Sequence, residues 1–146
     1  MIGQLCYLPA TEEDIPVIFA QSKALVDAYE DLTMINYPKV LNWLERKIRA
    51  NITQYTCVKL GDRKVGYYRL CFEEDRVELD DFYVLPEFRN MGIGTQILEK
   101  CLSDTDMPMY LYVCTANTGA ISLYRRHGFA VTEQVSATRL IMSCQT

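Results

Sequence analysis

VELDDFYVLPEFRNMGIGTQILEKCL, residues 77–102, decides how the rest of this chain is read. Residues 77–84 are rich in β-branched and aromatic side chains and predict a strand. Ile93, Ile97, Leu98, Cys101 and Leu102 recur at helical spacing and predict a helix with one apolar face. Between them, Pro86-Glu87-Phe88-Arg89-Asn90-Met91-Gly92-Ile93-Gly94 forms a turn that sets two glycines and a run of backbone N–H groups at the helix start. A helix start carries about half a positive charge and several unpaired donors, so it suits a phosphate without needing a lysine. Glycine lets the backbone approach such an anion closely.

The strand also breaks parity. Leu79 and Phe82 lie three apart, whereas Phe82 and Val84 lie two apart, so one face takes all three only if a residue bulges out. The extra residue falls at Asp80-Asp81. Bulges of this kind sit beside active sites because they re-aim side chains and free backbone groups.

The chain has 146 residues, the length of one domain over 1–146. A net charge of −4 and a pI near 5.0 argue against nucleic acid or an anionic membrane as partner, either of which wants a basic face. No basic start precedes an apolar run and no segment reaches transmembrane length, so a cytoplasmic protein is expected. Cys6, Cys57, Cys71, Cys101, Cys114 and Cys144 are scattered singly and read as small core residues under reducing conditions. With one histidine, a His-rich metal centre is excluded and no metal is expected. A homodimer is left open.

Outward from the central stretch, residues 4–8 read as a strand and 14–29 as a helix capped by Asp14, with Pro16 in its first turn. A connection at 30–37 holds Glu30 and Asp31. Pro38 opens a second helix with Val40, Leu41, Leu44 and Ile48 inward and Arg46, Lys47 and Arg49 outward. Strands at 55–60 and 65–72 flank the turn Gly61-Asp62-Arg63-Lys64. After the central helix come a strand at 109–114, a helix at 119–127, and strands at 129–135 and 138–144. The order βααβββαβαββ predicts an α/β fold, one mixed and mostly antiparallel sheet with helices on both faces.

Arg89-x-x-Gly92-x-Gly94 after a strand, followed by Asn117-x-x-Ala120-x-x-Leu123-Tyr124-x-x-x-Gly128-Phe129, resembles the two signature blocks of the GCN5-related N-acetyltransferase (GNAT) superfamily. The likeness is close over the C-terminal half and one of layout over the N-terminal half. Within the superfamily, 79–84 is weakly similar to the diamine and polyamine acetyltransferases. The resemblance implies that the central strand and 109–114 run parallel and splay apart, leaving a slot for acetyl-coenzyme A. The pyrophosphate would then sit on the N–H groups of Arg89, Asn90, Met91, Gly92, Ile93, Gly94 and Thr95, and the pantetheine arm on Phe82, Tyr83 and Val84. Asn117 would bond that arm or cap its own helix.

The same resemblance gives Tyr124 the role of general acid. It shares an inward helix face with Ala120, Leu123 and His127. A phenol with a pKa of about 10 can protonate a departing thiolate whose acid has a pKa of about 8.5. The base that takes the proton from the amine would be Asp80 first, then Glu78, with Asp81 beside the bulge. Glu30, Asp31 and Asp81 would favour a cationic acceptor, either a small-molecule amine or a peptide amine. The expected activity is direct transfer of an acetyl group to a primary amine. The alternative is a non-catalytic acyl-CoA-binding or regulatory module on the same fold, since fold alone does not fix function.

Overall fold

A computed structural model describes residues 3–145 of the chain. In chain order it contains β1 (Leu5–Pro9), α1 (Ile15–Tyr29), α2 (Tyr37–Ala50), β2 (Tyr55–Leu60), β3 (Arg63–Phe72), β4 (Val77–Val84), α3 (Ile93–Ser103), β5 (Met109–Cys114), α4 (Thr118–Arg126), β6 (Ala130–Gln134) and β7 (Arg139–Cys144). The order is the one read from the sequence, with boundaries moved by a few residues at most. The strands form one sheet in the order β1-β2-β3-β4-β5-β7-β6. Every neighbouring pair is antiparallel except β4 and β5.

Each face of the sheet has its own core. On one, Val77 and Leu79 of β4, Leu111 and Val113 of β5 and Met142 of β7 pack on Ile93, Ile97, Leu98 and Cys101 of α3 and on Tyr124 of α4. On the other, Tyr55, Cys57, Tyr67 and Tyr83 pack on Ile15 and Ile18 of α1 and Ile48 of α2. Each fully buried isoleucine contributes about 1.5–3 kcal/mol. The six cysteines are free thiols.

Two polar residues depart from their sequence reading. Asp14 precedes α1 as expected, but its carboxylate does not cap that helix. It turns inward and accepts from Lys64 Nζ at 2.7 Å, Tyr67 Oη at 2.6 Å and the Thr11 N–H at 2.8 Å. Burial pushes its pKa up, but these donors outweigh it and leave the carboxyl below its ordinary value. Lys47 is the second correction. Expected to point outward, it is only 14% exposed and reaches under the sheet to the carboxylates of β4. Its spacing of three from Leu44 places it beside the buried stripe of α2. The start of α2 is capped by Asn36, whose side chain accepts from the Lys39 N–H at 3.2 Å.

Candidate functional site

β4 and β5 pair through Val77↔Met109 and Glu78↔Tyr110 and then part. Beyond Glu78 the β5-facing edge of β4 has no strand partner among the described residues, so the sheet opens into a slot at its centre. The parting coincides with a bulge. Tyr67 pairs with Tyr83 and Arg69 with Asp80, so two residues of β4, Asp81 and Phe82, stand opposite Tyr68 alone. Asp81 takes up the extra length in the left-handed region, at φ +47°. Phe82 and Val84 thereby return to the α3 side, while Glu78, Asp80, Asp81 and Tyr83 lie on the α1–α2 side.

Past the strand, Asn90 at φ +63° and Gly92 at φ +80° turn the chain into α3. The first backbone bond of that helix is Gln96 N–H to the Gly92 carbonyl. The N–H groups of Asn90 through Thr95 have no acceptor among the described residues. Six successive donors at the positive end of a helix form a ready anion seat. Arg89 does not extend toward it; its Nε donates to the Val84 carbonyl at 3.1 Å and ties the loop to the end of β4.

Across the slot, Tyr124 is 8% exposed, with its ring centroid 6.4 Å from Phe82 and 5.7 Å from Phe129. Its hydroxyl has no hydrogen-bond partner among the described residues. Burial raises its pKa. Asn117 caps α4, its side chain accepting from the Ala120 N–H at 3.2 Å. His127 sits at the end of that helix, with Nδ1 2.9 Å from the Leu123 carbonyl oxygen.

The α1–α2 side of the slot is polar. Asp80 accepts from Lys47 at 3.1 Å and from Arg69 at 3.0 Å. Asp81 accepts from Tyr55 at 2.5 Å, Tyr83 at 2.7 Å and Lys47 at 3.0 Å. Burial works against its charge, but Lys47 and the two tyrosines prevail and hold its carboxyl below the ordinary value. Glu78, at the point of parting, has no hydrogen-bond donor among the described residues. Burial, reinforced by the charge of Asp80, pushes it up to about 7.

Glu30 closes the far end, accepting from the Cys114 thiol at 3.3 Å and from Thr138 Oγ1 at 3.3 Å. The 30–37 connection and the β6–β7 turn therefore meet at this end. Asp31 is instead spent in its own loop, accepting from the Thr33 N–H at 3.0 Å and the Thr33 hydroxyl at 2.6 Å. Burial and then Glu30 push the Cys114 thiol up to about 11, the wrong direction for a nucleophile. Lys47, Arg69, Tyr55 and Ser22 were not singled out in the sequence; the stripe position of Lys47 was the available signal. Among the described residues no group of ligands is arranged to hold a metal, and no helix is long and apolar enough to cross a membrane.

Residues 21–129 match the family model described as the Acetyltransferase (GNAT) family, most of the chain's length. The chain belongs to the GNAT acetyltransferase family. No curated protein matches it. Solved structures do. The PaiA N-acetyltransferase from Thermoplasma acidophilum, in complex with coenzyme A, is 20% identical at a TM-score of 0.68, over 98% of this chain and 99% of that one. An N-acetyltransferase from Staphylococcus aureus Mu50 is 14% identical at 0.73, over 94% and 99%. The ribosomal-protein-S18-alanine N-acetyltransferase from Escherichia coli is 15% identical at 0.68, over 97% and 93%. At these identities the likeness is one of fold. The GNAT chain thus shares its mixed sheet with proteins of this family along nearly its whole length.

Proposed function

We propose that the protein transfers an acetyl group from acetyl-coenzyme A to a primary amine, both bound together. The observation that carries this reading is the juxtaposition of the parted β4 edge with the six successive N–H donors of residues 90–95, which take no acceptor among the described residues. The residues suit the cofactor. The donor run matches a diphosphate. The free edge of β4 beyond Glu78 matches an extended amide-bearing arm. Gly94 adds no side chain between the loop and Val84. When bound, acetyl-coenzyme A would supply an acetyl group on a thioester.

The chain's own residues would do the rest. Glu78, raised to about 7 and without a donor among the described residues, would take the proton from the incoming ammonium. It suits this role better than Asp80, whose carboxylate is already held by Lys47 and Arg69. A free N–H of the β4 edge would donate to the carbonyl oxygen as charge builds there. Tyr124, whose hydroxyl has no partner among the described residues, would deliver its proton to the departing sulfur. Burial raises that phenol's pKa and so keeps it protonated before the sulfur departs. Glu30 and the β4 carboxylates would make the acceptor end attractive to a cation, a small-molecule or peptide amine.

Incubating the protein with acetyl-coenzyme A and a panel of amines, while following free thiol, tests the reading. Turnover with at least one amine, abolished in Tyr124→Phe, is the expected result. Binding without turnover, equal in wild type and variant, would make the chain a non-catalytic acyl-CoA-binding module instead.

A further inference from the structure

Asp81 combines an unfavourable backbone with an unusually complete set of donors. A residue with a β-carbon at φ +47° inside a strand persists only where its surroundings over-determine it. Here they come from four elements. Oδ2 accepts from Tyr55 of β2 and Lys47 of α2, while Oδ1 accepts from Tyr83 of β4 and, at 3.4 Å, from Ser22 of α1. Ser22 and Tyr83 are in turn 2.9 Å apart. The Asp81 side chain is 6% exposed, and among the described residues no other cation pairs with it. Lys47 also holds Asp80, so a single ammonium pins the residues on both sides of the Asp80–Asp81 peptide. The bulge they pin begins three residues after Glu78, the last residue of β4 to pair with β5.

We propose that Asp81 and Lys47 form a positioning clamp, which fixes the β4 bulge and so presents the free edge of residues 82–84 to the acyl donor. The inference rests on the acetyltransferase reading but goes beyond it, since neither side chain touches the reacting atoms. Helices α1 and α2, which wall the acceptor end, are thereby tied to the strand that receives the donor. A carboxylate retained for stability alone would lower the folded fraction when lost, yet leave substrate affinity unchanged in the molecules that remain folded. A clamp sets the edge geometry before binding, so its loss makes binding itself supply the order.

The test compares wild type with Asp81→Gly, Lys47→Met, Lys47→Arg and Tyr55→Phe, each checked for folding by circular dichroism at the assay temperature. Glycine takes the left-handed conformation freely, so Asp81→Gly removes the donors' anchor without adding backbone strain. Coenzyme A affinity is measured by calorimetry, and KM for acetyl-coenzyme A is separated from kcat. The clamp predicts that Kd and KM rise about tenfold in Asp81→Gly and Lys47→Met, with kcat falling less, and that Lys47→Arg stays within about twofold of wild type. Should Asp81→Gly or Lys47→Met fail to fold, Tyr55→Phe, which keeps the remaining donors, carries the same prediction at about threefold. Kd and KM within about twofold of wild type in all folded variants would overturn the clamp. If wild type neither binds coenzyme A nor turns over, the acetyltransferase reading falls instead. The clamp is then read in amide hydrogen exchange: faster exchange at residues 80–84 in the variants supports it, and unchanged protection overturns it.

Discussion

The two faces of β4 are made of different materials. Toward α3 and α4 it presents Val77, Leu79, Phe82 and Val84 to an apolar core, and the polar groups named on that side are the Tyr124 hydroxyl and the backbone donors at the start of α3. Toward α1 and α2 it presents Glu78, Asp80, Asp81 and Tyr83 to Lys47, Arg69, Tyr55 and Ser22. The contrast separates two jobs. Backbone geometry can hold a donor molecule common to a whole family with little help from side-chain identity. The acceptor and the proton it loses must be met by particular titratable groups, each tuned by its neighbours.

The sharpest way to break this division is Tyr124, a side chain with a chemical role on the backbone-built face. Tyr124→Phe is expected to lower kcat about 100-fold or more. Coenzyme A affinity by calorimetry should stay within about twofold, since the hydroxyl has no partner among the described residues to lose. A kcat near wild type would leave the face without chemistry of its own.

Glu78 tests the other face. Glu78→Gln should cut kcat/KM at pH 8 by some tens of fold, below the effect at Tyr124. In wild type the rate should fall as pH drops below about 7, because the base becomes protonated. The variant should lack that limb in a pH profile. A limb that persists unchanged would assign it to another group.

Gly94 sharpens the comparison from the backbone side. A β-carbon there would meet Val84 at 3.5 Å and Leu123 at 3.8 Å, ordinary contact distances, so the fold itself does not demand glycine. Gly94→Ala should therefore keep or slightly raise Tm through its helix preference, about 0.5–1 kcal/mol at most. It should nonetheless weaken coenzyme A about fivefold if a ligand needs that approach. Affinity equal to wild type would show that the glycine serves no ligand.

The smallest effect expected is on stability. Glu78 is raised in the folded state, so the fold binds its proton more tightly than the unfolded chain does. That contribution is present at pH 4 and is lost as pH rises through about 7. Glu78→Gln should consequently gain about 1 kcal/mol over wild type at pH 8, after discounting for the solvent that reaches the carboxyl, and little at pH 4. Thermal melts at the two values measure the difference.

The same contrast governs what could be read before the structure was in hand. Strand, glycine turn and helix lie within one stretch, so spacing alone exposed the element order, the bulge and the donor run. The polar face joins residue 22 to 81, 47 to 80 and 69 to 80, and no local pattern links such pairs. That is why an outward reading of Lys47 misses its two ion pairs. Such a reading judges a charge by its own element, whereas its partners lie on another. Asp31 is the opposite case, since its carboxylate is taken by the N–H and hydroxyl of Thr33 two residues on in its own loop.

The central claim is that the donors of residues 90–95 seat a diphosphate beside an open β4 edge. Amide resonances of ¹⁵N-labelled protein, followed while coenzyme A is titrated in, test it most directly. The account predicts the largest shifts, with slowed hydrogen exchange, at Asn90 through Thr95 and at Phe82 through Val84. Coenzyme A that leaves these amides unmoved, or that moves others instead, would contradict it.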